Sequence, residues 1–92
     1  MSIQWLFQII EDRKKNPLEK SYTSSLFARG LSKIAQKVGE EGTEVVVAAL
    51  AQDDQRLIEE IADLTYHTLV LLSARGLTPD HVVTELKKRH GR

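Results

Sequence analysis

The residues of this chain best suited to chemistry are four acids in two pairs. Glu41 and Glu44 stand in the run Lys37-Val38-Gly39-Glu40-Glu41-Gly42-Thr43-Glu44, and Glu60 and Asp63 in Glu59-Glu60-Ile61-Ala62-Asp63. Each pair is spaced acid-x-x-acid, which puts both carboxylates on one face of a helix. At about 100° per residue, Glu41 falls within the arc of Ile34, Val38 and Val45, with Lys37 and Glu44 at its edge. Glu60 falls beside Leu57, Leu64 and Leu71, with Asp63 one turn on. Fifteen residues separate Glu44 from Glu60, and the two pairs lie about equally far from Asp53-Asp54. A helical hairpin turning there brings the pairs level. Four carboxylates gathered among apolar side chains lose hydration and repel one another unless a cation sits between them. Mg²⁺ suits this donor set, because it is a hard ion held by carboxylates together with substrate phosphates. The expected ligands are Glu41, Glu44, Glu60 and Asp63. Glu40 is a further ligand candidate, or the base that orients a water.

Ordinary solvated helix acids are the competing reading, and three features weigh against it. Glu41 and Glu60 sit among apolar positions, not opposite them. The pairing occurs twice at matching heights. Gly39 and Gly42 flank the acids in mid-helix, where each costs about 1 kcal/mol relative to Ala. That cost makes sense if something approaches the backbone closely.

Basic residues stand upstream. Arg29, Lys33 and Lys37 recur every four residues, and Glu41 follows four further on. Like charges at this spacing are mildly unfavourable, and Lys ahead of Glu is the weaker orientation. A polyphosphate lying along the edge would favour the order that helix stability does not; a plain solvated edge is equally compatible with it. The run Ser21-Tyr22-Thr23-Ser24-Ser25 offers hydroxyls and amides just before a helix start, a place where phosphates bind, although a polar loop with a cap has the same composition. His67, one turn after Asp63, either bonds a carboxylate ligand or is a satisfied core residue, and the core reading is preferred. Thr65 and Tyr66 read as packing residues. His81 and His90 join no cluster, and Lys87-Lys88-Arg89 complements a helix C-terminus.

The elements that position these residues read as helices throughout. Ile3, Leu6, Phe7 and Ile10 predict a helix over 2–15, capped by Ser2, with Trp5 at the edge of the same face. Asn16-Pro17 ends it. Residues 16–24 read as a polar loop, with Ser24 or Ser25 capping a helical stretch from Leu26 that Gly30 breaks. A long helix over 31–51, a connection capped by Asp53, and a second long helix over 54–75 ending at Gly76 follow. Thr78-Pro79-Asp80 starts a last helix over 79–90, with Val82, Val83 and Leu86 expected inward. No alternation of period two or hairpin turn signals a strand. The expected fold is all-α, a bundle of four to five helices with two long antiparallel central helices, dimerising through helices.

Ninety-two residues predict a single domain over 1–92, small enough that a second copy would help complete its core. Thirteen basic residues balance thirteen acidic ones, which argues against a nucleic-acid grip. The absence of cysteine excludes disulfides, zinc–thiolate sites and a cysteine nucleophile. The apolar N-terminus has no basic leader and no small-residue cleavage site, and no apolar run reaches membrane-spanning length. A cytoplasmic protein without membrane or nucleic-acid partners is expected.

Four segments carry a resemblance. Ser21-Tyr22-Thr23-Ser24-Ser25-Leu26-Phe27, Ile34 through Glu44, Asp63-Leu64-Thr65-Tyr66-His67 and Leu69-Val70-Leu71-Leu72 closely resemble the phosphoribosyl-ATP pyrophosphohydrolase family of histidine biosynthesis. That family belongs to the MazG-like all-α nucleoside triphosphate pyrophosphatases. Their signature, Glu-x-x-Glu followed by Glu-x-x-Asp, is matched by Glu41, Glu44, Glu60 and Asp63. The resemblance implies Mg²⁺-dependent hydrolysis of the α–β phosphoanhydride of phosphoribosyl-ATP, giving phosphoribosyl-AMP and pyrophosphate. It also implies a homodimer whose helices build the site together. In some organisms the domain is fused to a cyclohydrolase; this chain has no room for one and lacks its cysteines, so a free-standing enzyme is expected. On this reading Glu40 or Glu41 positions the water, and Arg29, Lys33 and Lys37 stabilise the leaving pyrophosphate. Ser21, Tyr22, Thr23 and Ser25 hold the phosphoribosyl end. The rival expectations are a house-cleaning pyrophosphatase acting on dNTPs and a non-catalytic helical dimerisation module.

Overall fold

Two helices of 21 residues each, α3 (Leu31–Ala51) and α4 (Asp54–Ala74), fold back on one another across Gln52-Asp53 and form the centre of the molecule. The structure is a computed structural model and describes residues 2–91. Around the hairpin lie α1 (Ile3–Lys15), α2 (Tyr22–Arg29) and α5 (Pro79–His90), with no strand among the described residues. The all-α expectation, five helices with two long central ones, is what the chain adopts.

The boundaries follow from local chemistry. Ser2 accepts from the Trp5 amide at 3.2 Å and starts α1. Asp53 accepts from the Arg56 amide at 2.9 Å and starts α4, satisfying one of the donors that a helix start leaves free. At the far end of α4, Leu77 N bonds Leu72 O at 2.8 Å and Gly76 N bonds Ser73 O at 3.0 Å. This is a Schellman closure, and it needs the left-handed backbone that Gly76 adopts at φ +72°. Gly30, at φ +95°, ends α2 with its amide on Leu26 O and Phe27 O, both at 3.2 Å, and opens α3. In α5 the Thr78 amide donates to His81 Nδ1 at 3.0 Å, so His81 completes the cap.

The core lies at one end of the hairpin. Phe7 and Ile10 from α1, Leu26 from α2, Ile34 from α3 and Leu69 and Val70 from α4 close on one another there. Ser73, fully buried in the same layer, donates to Glu11 Oε2 at 2.8 Å, while its carbonyl accepts from Lys14 Nζ at 2.7 Å. Lys14 and Glu11 are themselves paired at 3.1 Å. Burial, the largest single influence on the Glu11 carboxyl, pushes it up, but the Ser73 bond, Lys14 and Lys15 together hold it below its ordinary value. A charged hydrogen bond in this setting is worth about 1.5–3 kcal/mol. Ser73→Ala is therefore expected to lower the melting temperature by roughly 10 °C, measured by circular dichroism. An unchanged melting temperature would show that α1 is held by apolar packing alone.

Three expectations are corrected. Residues 22–25 are not loop: α2 starts at Tyr22, capped by Ser21, whose hydroxyl accepts from the Ser24 amide at 3.1 Å. Ser24 does not cap a later start because it is turned inward, accepting from Leu18 N at 3.0 Å and donating to Arg13 O at 3.3 Å. Arg29 does not share a helix edge with Lys33 and Lys37, since the backbone turn at Gly30 breaks the register between them. Finally, Val82, Val83 and Leu86 are exposed, because no other part of the described chain covers that side of α5.

Candidate active site

The hairpin brings together acids that the sequence separates. One carboxylate oxygen from each of Glu41, Glu60 and Asp63 lies within 4.8 Å of the other two. Glu41 and Glu60 are buried, 6 % and 4 % exposed, while Asp63 is open to solvent. Both buried acids are built alike. Glu41 Oε1 lies 3.8 Å from Lys37 Nζ, and Glu60 Oε1 accepts from Arg56 Nη2 at 3.2 Å. In each case the cation stands four residues earlier on the same helix, where one turn carries it to the acid. The second oxygen of each acid, Oε2, is buried with no hydrogen-bond partner among the described residues. Two orphaned carboxylate oxygens are costly to bury. Together with Asp63 they form an all-oxygen donor set that fits a hard divalent cation.

Electrostatics describe the same strain. The carboxylate of Glu44 against it, followed by burial, pushes the Glu60 carboxyl up to about 7, although Arg56 works in the opposite direction. Burial first, and then Glu44, raises Glu41. Glu44, exposed at the rim and outside the cluster of Glu41, Glu60 and Asp63, is held below its ordinary value by its neighbours, Glu60 first and then Glu41. Glu44 is thus favoured in its charged form while its two buried neighbours are pushed toward the protonated one, as close like charges require. A cleft of about 230 Å³ lined by Glu44, Val47, Gln52, Arg56 and Glu60 opens beside the cluster.

Other site candidates lie at different distances from this centre. Glu40 is exposed and turned to Lys37, at 3.8 Å, and Gln36, at 3.5 Å, and it does not join the cluster of Glu41, Glu60 and Asp63. Lys37 reaches Glu41 directly. Lys33 is half-buried on the preceding turn, and Arg29 is exposed at the end of α2. Of the hydroxyl run, Tyr22 Oη lies 3.0 Å from His67 Nε2, and Thr23 Oγ1 bonds the Tyr66 hydroxyl. Ser21 caps α2, and Ser25 Oγ bonds back to the Tyr22 carbonyl at 2.7 Å. Gly39 and Gly42 have open space on their side-chain positions, with nothing of the described chain within 4 Å. Packing within the chain does not explain them.

Arg56 escaped the sequence reading. Its signal was present: Arg56 and Glu60 are four apart, as are Lys37 and Glu41. The difference is that the upstream cations of α3 form a visible series, whereas Arg56 stands alone. His67, read as a core residue, is indeed buried, but it bonds to the backbone of Asp63 and to Tyr22.

Comparisons with known proteins show the family. Residues 4–90 match the family described as Phosphoribosyl-ATP pyrophosphohydrolase. The phosphoribosyl-ATP pyrophosphatase of Lacticaseibacillus casei (strain BL23) is 54% identical over 99% of this chain and 83% of its own length. That of Clostridium botulinum (strain Hall / ATCC 3502 / NCTC 13319 / Type A) is 52% identical over 98% of this chain and 82% of its own. The histidine biosynthesis bifunctional protein HisIE of Vibrio cholerae serotype O1 is 54% identical over 92% of this chain but only 40% of its own length, so the likeness is to one part of that protein. A match across nearly the whole chain, with relatives about half identical to it, leaves one assignment: this chain belongs to the phosphoribosyl-ATP pyrophosphohydrolase family, and with it to the hydrolases.

Proposed function

We propose that this chain hydrolyses the α–β phosphoanhydride of phosphoribosyl-ATP, yielding phosphoribosyl-AMP and pyrophosphate, at the second step of histidine biosynthesis. The observation that carries the reading is the pair of orphaned carboxylate oxygens on Glu41 and Glu60. They stand level with Asp63 in a chain about half identical to relatives named for this reaction. Glu41, Glu44, Glu60 and Asp63 would hold Mg²⁺, which when bound neutralises phosphate charge and acidifies a water. Of the two candidates for orienting the attacking water, Glu41 stands within the cluster and Glu40 outside it, so the role goes to Glu41. Lys37, and with it Lys33, offsets charge gathering on the departing pyrophosphate. Arg56, at the mouth of the cleft beside Glu44 and Glu60, is a third cation for that task. Arg29 enters from the end of α2, across the break at Gly30. Ser21, Tyr22, Thr23 and Ser25 hold the phosphoribosyl end.

The decisive experiment measures pyrophosphate release from phosphoribosyl-ATP with and without Mg²⁺, beside ATP and dUTP. Fast Mg²⁺-dependent release from phosphoribosyl-ATP alone supports the assignment. Release from dUTP instead would make the chain a house-cleaning pyrophosphatase. No release from any of them would leave a dimerisation module.

The active unit in this reading is a cytoplasmic homodimer in which residues 1–92 act as one domain. No described helix is long and apolar enough to cross a membrane. The core closes only one end of the hairpin. At the other end Val46, Val47, Leu50, Ile58 and Ile61 are exposed, Leu50 by 83 % and Ile58 by 60 %. Exposed apolar side chains gathered near one turn suit an association face, and a second copy offers the same residues in return. Leu50→Glu with Ile58→Glu is expected to shift the sedimentation equilibrium from dimer to monomer. A dimer that survives both changes would place the interface elsewhere.

A further inference from the structure

His67 is buried, at 5 % exposed, and both of its ring nitrogens are engaged. Nδ1 lies 2.7 Å from the main-chain carbonyl oxygen of Asp63, and Nε2 lies 3.0 Å from Tyr22 Oη. A carbonyl oxygen can only accept, so Nδ1 carries a proton, and in the neutral ring Nε2 remains as the acceptor. Tyr22 Oη therefore donates to Nε2. Aromatic neighbours hold the ring at that angle. Tyr66 meets it edge-on with centroids 5.0 Å apart, and Tyr22 does so at 5.9 Å. Tyr66 is bonded in turn to Thr23. Two adjacent residues in the first turn of α2 are thus tied to two adjacent residues of α4, one turn from an acid of the cluster.

This arrangement determines what Tyr22 can offer a ligand. Its side chain is half exposed, yet its hydroxyl proton is committed inward to His67. With that proton committed, the oxygen offers a ligand lone pairs only. Phosphate oxygens are acceptors too and gain nothing from it. A sugar hydroxyl is a donor and does.

We propose that His67 is a positioning residue. It holds the start of α2 against the Asp63 turn of α4 and, by taking the Tyr22 proton, presents Tyr22 Oη as an acceptor for a ribose hydroxyl of the substrate. The inference rests on the nucleotide hydrolysis proposed above and assigns Tyr22 to the sugar, not to the phosphates.

The test has two arms. Nitrogen-15 NMR of the imidazoles reads the tautomer without any substrate or metal. The expected result is a proton on Nδ1 of His67; a proton on Nε2 overturns the inference, whatever the enzyme hydrolyses. The second arm is a double-mutant cycle. His67→Asn keeps a donor for the Asp63 carbonyl in its Nδ2, but the shorter amide places no acceptor where Nε2 stands against Tyr22, and Tyr22→Phe removes the hydroxyl. Each is expected to raise KM for phosphoribosyl-ATP about tenfold with kcat little changed, and the double variant is expected to be no worse than either single one. Tyr22→Phe is also expected to bind Mn²⁺, read by electron paramagnetic resonance, as the unsubstituted protein does. Additive effects on KM, or a fall in kcat alone, overturn the inference. If phosphoribosyl-ATP is not a substrate at all, the functional reading fails, while the tautomer still reports on His67. Should His67→Asn not fold, the tautomer and Tyr22→Phe decide.

Discussion

Asp63→Ala and Glu44→Ala are each expected to abolish Mg²⁺-dependent pyrophosphate release, by about 10³-fold or more, while helical circular dichroism stays unchanged. The two expectations rest on where these acids stand. Asp63 and Glu44 are both exposed, so neither substitution opens a cavity, and a loss of turnover cannot be ascribed to unfolding. Glu60→Gln is expected to be as inactive for a different reason. It keeps the shape of a buried side chain but removes the charge that a cation would meet, and it relieves the repulsion with Glu44. The metal-free Glu60→Gln protein should therefore be at least as stable as the unsubstituted one at pH 8, with no shift of melting temperature on adding Mg²⁺. Glu40→Gln serves as the control, because Glu40 stands outside the cluster, and most activity should remain. Turnover retained in both Asp63→Ala and Glu44→Ala would remove the four-acid assignment. Turnover lost in Glu40→Gln would return the water-orienting role to that residue.

Adding Mg²⁺ is expected to stabilise the protein strongly, more at pH 8 than at pH 6, with release of protons near pH 7. The sign follows from Glu60. Its carboxyl is raised from 4.5 to about 7 in the folded chain. Across that window the folded protein holds a proton that the unfolded chain has already released, so metal-free stability falls as pH rises through it. Glu41 is shifted in the same direction and adds to the effect. Glu44 is shifted the opposite way; its contribution is lost only as pH falls below the ordinary carboxylate range. A divalent cation competes with the protons on Glu60 and Glu41, and so binds more weakly where they are held. At roughly 100 times its dissociation constant, a ligand that binds only the folded state stabilises by about 2.7 kcal/mol. For a domain of this size that is on the order of 10–20 °C. Calorimetric titration in buffers of differing ionisation enthalpy counts the protons released. Chelation by EDTA should reverse the shift. A Mg²⁺-induced shift that is equal at pH 6 and pH 8 would mean that Glu60 is not displaced by the ion.

The amino-acid sequence by itself determined the helices whose ends are governed by local chemistry. Asp53 as a cap, Gly76 in a left-handed turn and Thr78-Pro79 as a restart each act through neighbours a few residues away, and each stands where it was read. The acid pairs were legible for a related reason. The period of an α-helix converts spacing into angle, so Glu41 and Glu60 could be placed on apolar arcs without knowing what faced them. Their meeting followed from one tight turn between two helices of equal length.

What only the tertiary structure decided involves partners far apart in the chain. Ser24 fails to cap a helix because Arg13 and Leu18 claim its hydroxyl, and Ser21 caps α2 instead. His67 takes its proton position from two partners, Asp63 on its own helix and Tyr22 across 45 residues. Periodicity gives the rotation of a side chain about one axis, but it does not say whether a neighbour is present at that angle. For that reason the same pattern buried Phe7 and Ile10 in α1, yet left Val82, Val83 and Leu86 of α5 facing solvent.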